Sequence, residues 1–372
     1  MRLSILVDPE GTVTFPSLGS ALVNVARALD PAFHLTCGPA VPAGARYLST
    51  KRIAVNLSRA ASACSDDELW AAHRESRDAA PSVECTTSRL AVKIELATRL
   101  LRACRLCPWD CGVDRLAGKV GFCGLGRDAF YSQEFLHFGE EPAIRPSHTI
   151  FLTGCSLRCV YCMTGATVVQ PSQGSLLEPA DMAARIERRA REGSRSVSFV
   201  GGNPDQNILP VLETLRACTT DRPIVWNSNL YAAPMVMDLL DGVVDVHVAD
   251  LKYGDDNCAR RASGVPEYWD TVTANLRRAA ADARLIVRHL LLPGHGDCCT
   301  APVLRWLARE LPGVPVNLMM HYRPDHLVKA DGTTPLGRRL TVAEEEAARG
   351  LAAALGVSLV DHTAFANARV AS

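Results

Sequence analysis

Cys155, Cys159 and Cys162 stand in the segment TGCSLRCVYC with the spacing C-x3-C-x2-C, directly after a short apolar run. Three thiolates on one tight loop suit three irons of a cubane iron-sulfur cluster and leave the fourth iron without a protein ligand. A four-cysteine site saturates its cluster and serves electron transfer, whereas an open iron takes a small molecule as ligand. The competing readings are a zinc knot or three buried thiols; zinc prefers a fourth protein ligand that this loop does not offer.

A second group lies upstream, in CRLCPWDCGVDRLAGKVGFCGLG. It places Cys104, Cys107, Cys111 and Cys123 among Gly and Pro with little apolar periodicity. Such a segment needs a metal to order it, because it cannot bury enough apolar surface alone. Zinc and a second 4Fe-4S cluster both use four thiolates. The C-x2-C-x3-C start is tighter than the paired knuckles typical of zinc and favours iron-sulfur.

These sites need a frame. The chain has 372 residues, a formal net charge of +0 and a pI near 7.1. No Lys/Arg block stands out, so no binding to nucleic acid or anionic membrane is expected. The start, MRLSILVDPEG, reaches Asp8, Pro9 and Glu10 after a short apolar run, unlike a signal peptide. With 14 cysteines, a cytoplasmic location fits metal or redox chemistry better than disulfides. No stretch approaches the ~20 apolar residues of a membrane span.

Three regions follow. Residues 1–90 are an N-terminal extension without a motif, with a strand or hairpin expected over 3–15 and helices over 22–29 and 68–77. Residues 91–146 open with a helix over 90–102 and carry the Cys-rich metal-binding module. From 147 to 372, strand-like runs at 148–154, 196–202, 224–229, 245–252, 285–293 and 315–322 alternate with helical runs at 178–192, 208–218, 234–241, 266–281 and 302–311. A last helix at 341–355 and a strand at 358–362 follow. This is an α/β pattern, and six β-branched βα units imply a parallel sheet closed into a partial (β/α)6 barrel. Working residues of such barrels sit at the C-terminal strand ends. There the chain places the cysteine loop, Gly201-Gly202-Asn203, Asn227-Ser228, Asp250 and Lys252, Arg288, and the pair Cys298-Cys299.

Together with HFGEEP (137–142), WNSN, DLKYGDD, and the CCT and YRP elements, these residues resemble the radical S-adenosylmethionine superfamily. Within it, the chain is similar to the pyruvate formate-lyase activating enzyme branch, as an activase-like protein with an extra four-Cys module. The resemblance covers residues 95 to 330. It implies that Cys155, Cys159 and Cys162 bind the cluster, that Tyr161 backs the adenine, and that the Gly201-Gly202 backbone meets the cofactor's amino group. Family members commonly carry Glu or Asp where this chain has Asn203, which removes a carboxylate contact to that ammonium. Asp250 and Lys252 offer an anion for the ammonium and a cation for the carboxylate of methionine, or else a plain salt bridge. Arg288 is expected to clamp a carboxylate or to neutralise Asp250. His137, Glu140 and Glu141 either border the active site or form an exposed acidic turn.

The implied activity is reductive cleavage of S-adenosylmethionine to a 5'-deoxyadenosyl radical, with a reductant such as flavodoxin or ferredoxin, and abstraction of a hydrogen atom from a small or peptide-like substrate. Epimerisation is one version, with Cys298 or Cys299 as hydrogen donor. The alternative is a glycyl radical made on a partner protein, which needs an open top face; the Cys-rich module and the extension are expected to cover it. A bare electron carrier does not explain the three-cysteine loop. A zinc-stabilised nucleic-acid binder lacks the basic, aromatic stripe it would need.

Overall fold

The computed structural model describes residues 44–82 and 86–360. One eight-stranded sheet organises them, in the order β3-β1-β2-β4-β5-β6-β7-β8. Its parallel part is β2 (Ser147–Leu152), β4 (Ser196–Gly201), β5 (Ile224–Ser228), β6 (Val246–Asp250), β7 (Arg284–Leu290) and β8 (Val316–Met319). These are the six strands expected from the sequence, and they form the partial barrel.

β1 (Phe130–His137) and the two-residue β3 (Ser175–Leu176) were not expected. β1 runs antiparallel along β2, so the sheet extends beyond six strands, and the region 91–146 contributes one of them. The run FYSQEFLH hides because polar residues fill its middle: Ser132 and Gln133 are exposed, and Glu134 is paired. Glu134 is buried against His148 at 2.8 Å and Arg189 at 2.9 Å.

Side chains alternate across each strand. Phe199, Trp226, Ala249 and Val287 point outward and join the large core under the helices. Val225, Val248 and Ile286 point inward and form a separate cluster with Ile144. Asn227, Asp250 and Arg288 lie two residues further along the same strands, on the same inward face and nearer the C-terminal ends.

The helices are α1 (Arg46–Thr50), α2 (Asp66–Glu75), α3 (Arg89–Arg102), α4 (Gly165–Val169), α5 (Pro179–Arg191), α6 (Ile208–Ala217), α7 (Pro234–Leu240), α8 (Asp256–Ser263), α9 (Tyr268–Asp282), α10 (Ala301–Glu310) and α11 (Val342–Ala354). α2 begins at a capping box between Ser65 and Glu68. α8, also unexpected, is short; Asp255 accepts from the Cys258 amide at 2.7 Å and Gly264 ends it at φ +70°.

The start of the described N-terminal extension, residues 46–51, packs at the N-terminal strand ends, opposite the cysteine loop. Arg46 donates to Asp282 and to the Val244 carbonyl, Tyr47 to the Thr220 carbonyl at 2.7 Å, and Arg89 to Asp241 at 2.8 Å. Residues 46–51 therefore lie away from the top face, whereas 61–66 sit higher, where Arg99 donates to the Ala61, Ser62 and Cys64 carbonyls and to Asp66. α3 then climbs from that end, and its 14 residues span about 21 Å. It delivers the Cys-rich module to the opposite face. The strand or hairpin expected over 3–15, the helix over 22–29 and the end of the strand at 358–362 lie outside the described residues. Among those described, no helix is long and apolar enough to cross a membrane, and no cysteine is bridged.

Candidate active site

The loop after β2 folds over the C-terminal end of the barrel. Its position depends on two close backbone approaches. A Cβ on Gly202 would meet the Gly154 carbonyl oxygen at 2.1 Å, and one on Gly201 the Leu152 carbonyl oxygen at 2.2 Å. Glycines are required there by the packing of β4 against the cysteine loop, apart from any contact to a ligand.

Cys155 is buried, and Cys159 and Cys162 are half-buried. Each sulfur has a hydrogen-bond partner. The Leu157 amide donates to Cys155 Sγ at 3.4 Å and Asn229 Nδ2 at 3.5 Å; Ser263 Oγ donates to Cys159 Sγ at 2.9 Å; Thr164 Oγ1 lies 3.6 Å from Cys162 Sγ. Such donors stabilise metal-bound thiolates and tune the cluster's potential. Among the described residues, no three of these or of the upstream sulfurs fall within 4.8 Å of one another. Sulfurs around one tetrahedral zinc stand about 3.8 Å apart, given Zn–S bonds of about 2.3 Å. The donor set and its spread fit a multi-iron cluster better than a single ion.

Ser263 and Asn229 are held in turn. Tyr161 Oη and Tyr253 Oη are 2.6 Å apart, and Tyr253 bonds Ser263. Tyr161 also meets Tyr322 edge-on at 5.7 Å, which makes Tyr322 a packing residue. The Asn229 amide donates to Asn203 Oδ1 at 3.1 Å, and Asn203 Nδ2 donates to Asp205 at 2.9 Å and to Gln206 at 3.0 Å. Asn203 is thus occupied on both ends, as a positioning residue for Asn229. Ser228 faces the same network, donating to Asp205 at 2.8 Å. Its hydroxyl does not enter the lumen. Asn227 does, and its buried Nδ2 finds no partner among the described residues.

Lys252 Nζ meets Asp250 at 2.7 Å. Burial alone would lower the lysine pKa; Asp250 and the nearby Cys159 outweigh that and raise it. The ammonium therefore stays charged beside the cysteine loop.

Arg288 clamps carboxylates, those of Glu140 and Glu141, and makes no direct pair with Asp250. Its Nε and Nη2 form a two-pronged pair with Glu141 at 2.7 Å, and Nη2 also reaches Glu140. Asn317 donates to Glu141 at 2.8 Å, and His137 meets Glu140 at 3.2 Å. Burial opposes the charge on Arg288, yet Glu140 and Glu141 raise its pKa. Both glutamates are buried, so they are not an exposed acidic turn. They floor the lumen, with Ile144 beneath Val225, Val248 and Ile286. The sequence offered a site border as one of two readings for His137, Glu140 and Glu141 but did not point to Ser263; the apolar-strand pattern carries no signal for what such a loop touches.

The upstream module docks directly on the cysteine loop. The Cys155 amide donates to the Cys123 carbonyl at 3.3 Å, and Trp109 Nε1 to the Ser156 carbonyl at 2.8 Å. Trp109 stacks on Phe122 at 3.9 Å, and the Arg158 guanidinium lies 4.8 Å from that ring. Cys104, Cys107 and Cys123 are buried; Cys111 is exposed, with its sulfur and that of Cys123 both beside Gly121. Cys298 and Cys299 sit in the wide turn Gly296–Thr300 after β7, with Cys299 buried and Cys298 half-buried.

Comparison with known proteins bears on this arrangement. The Radical SAM superfamily pattern matches residues 149–307. An uncharacterized protein of Methanocaldococcus jannaschii is 38% identical over 279 residues, covering 73% of this chain and 80% of that protein. Among solved structures, a domain of pyruvate-formate lyase-activating enzyme from Bacteroides vulgatus is 19% identical, covering 44% of this chain and 96% of its own, at a TM-score of 0.34. QueE from Escherichia coli is 13% identical, with coverages of 62% and 92% and a TM-score of 0.38. The matched span starts inside β2 and takes in the cysteine loop and β4 to β7, so the chain is an enzyme of the radical S-adenosylmethionine superfamily, whose members use a 4Fe-4S cluster to cleave S-adenosylmethionine reductively.

Proposed function

We propose that this enzyme abstracts a hydrogen atom from a small or peptide-like substrate in the barrel lumen; when bound, the cluster and S-adenosylmethionine supply the 5'-deoxyadenosyl radical that takes it. The observation that carries this reading is the placement of the three-cysteine loop over a lumen lined by Asn227, Asp250 and Lys252. Cys155, Cys159 and Cys162 would hold the cluster. Lys252 suits the carboxylate of the cofactor's methionine and Asp250 its ammonium. The unpartnered Asn227 amide suits a further polar group of cofactor or substrate, and the Gly201-Gly202 main chain the cofactor's amino group. Tyr161, locked by Tyr253, would back the adenine.

Charge supports the assignment. Glu140, Glu141 and Asp250 face Arg288 and Lys252, one negative charge in excess. S-adenosylmethionine carries one net positive charge, from a sulfonium and an ammonium against one carboxylate, which suits this negative excess.

Cys104, Cys107, Cys111 and Cys123 would bind a second 4Fe-4S cluster, since their spread exceeds that of zinc thiolates. The unbridged cysteines support a cytoplasmic enzyme with a flavodoxin- or ferredoxin-type reductant. In an epimerising version, Cys298 or Cys299 returns the hydrogen. The second reading, a glycyl radical on a partner protein, gains from the location of residues 46–51 at the far end, which leaves the top face free of them.

Incubation of the reduced enzyme with S-adenosylmethionine and deuterated candidate substrates tests this. Deuterium in 5'-deoxyadenosine from a small molecule or peptide is expected. Deuterium transfer only from a glycine of a partner protein would establish the second reading.

A further inference from the structure

We propose that Cys258, His295 and Cys298 form a third metal site, which binds a single zinc ion apart from both iron-sulfur positions. Cys258 lies in the first turn of α8; His295 and Cys298 lie in the loop between β7 and α10. One ligand atom from each falls within 4.8 Å of the other two. The Cys258 and Cys298 sulfurs are 3.4 Å apart. This is the compact spacing that one tetrahedral ion demands and that the other two cysteine groups lack. Two thiolates and an imidazole are zinc's preferred soft and borderline donors.

The second shell points the same way. His295 Nδ1 donates to the Pro293 carbonyl at 2.8 Å, which leaves Nε2 as the bare nitrogen. Ligating histidines are oriented in this way, by a carbonyl on the other ring nitrogen. The Arg261 guanidinium lies 3.5 Å from Cys258 Sγ, a cation beside that sulfur. Binding releases the two thiol protons, and the two thiolates balance the dication. Cys299 Sγ lies 3.8 Å from Cys298 Sγ but outside this group, so solvent would complete the tetrahedron.

The site would join two top-face loops. A Cβ on Gly254 would meet the Cys298 carbonyl at 2.5 Å, so the segment that carries Lys252 already rests on the cysteine turn. A zinc bridging α8 to that turn fixes this contact. A metal-held Cys298 carries no transferable hydrogen, so a donor role would pass to Cys299.

The test compares metal content in anaerobically purified, cluster-loaded wild type with Cys258→Ser and His295→Ala, each incubated with zinc chloride and desalted. Wild type is expected to keep about one zinc per chain with sulfur at about 2.3 Å and nitrogen at about 2.0 Å in zinc X-ray absorption. Both variants should lose that zinc and keep their iron. His295→Cys should keep it, with the nitrogen shell replaced by sulfur, which guards against a variant that merely misfolds. Equal zinc in wild type, Cys258→Ser and His295→Ala would overturn the site. So would a Cys258–Cys298 disulfide found by alkylation and mass spectrometry in the anaerobic wild type.

Discussion

Ser263, the last residue of α8, donates a 2.9 Å hydrogen bond to Cys159 Sγ across 104 residues of chain. A hydrogen bond to a cluster thiolate favours the more negative, reduced state. Removing it in Ser263→Ala should lower the cluster's reduction potential. With about 1 kcal/mol per bond, the one-electron shift is about 20–60 mV. Potentiometric titration followed by electron paramagnetic resonance measures it; an unchanged potential would remove Ser263 from the cluster's surroundings.

Replacing Cys155, Cys159 and Cys162 together with Ala should abolish formation of 5'-deoxyadenosine. The remaining donors, Asn229 and Ser263, cannot hold iron. Wild-type turnover by this variant, read by chromatography, would end the radical reading.

Asp250→Asn and Lys252→Ala should each weaken S-adenosylmethionine binding while leaving iron content intact, because β6 carries no cluster ligand. A lost charge-assisted contact costs about 1.5–3 kcal/mol, or roughly 10- to 150-fold in affinity. Calorimetry that shows unaltered affinity for both would reduce the pair to a salt bridge.

Iron analysis addresses the module. About eight iron per chain is expected, falling to about four when Cys104, Cys107, Cys111 and Cys123 become Ser. Metal content that does not respond would mean these four cysteines bind none.

Glu134 gives a pH signature. Burial alone would raise its pKa, but hydrogen bonds from His148 and Arg189 outweigh burial and bring it from 4.5 to about 2. A depressed carboxylate stabilises the fold above its unfolded pKa and loses that contribution as pH falls toward the folded one. Glu134→Gln should therefore be less stable than wild type at pH 7, and the gap should close between about pH 4.5 and 2. Urea midpoints across that range, taken on metal-free protein, provide the check.

The C-x3-C-x2-C loop and the six apolar, β-branched runs were legible in the sequence because both are local. Ligand spacing within ten residues and a strand pattern of period two need no knowledge of what lies across the fold. That is also why Asp250, Lys252 and Arg288 could be assigned to one face. What each of them touches was decided by tertiary structure. Arg288 is spent on Glu140 and Glu141, which enter from a floor 147 residues earlier in the chain. Asn203 accepts from the Asn229 main chain, a partner 26 residues on that its own loop does not announce. The three-residue group of Cys258, His295 and Cys298 exists only because α8 and the β7–α10 loop meet above the sheet. Spacing along a chain fixes what one loop binds; the partners of a side chain depend on which strands lie side by side, and only the folded sheet sets that.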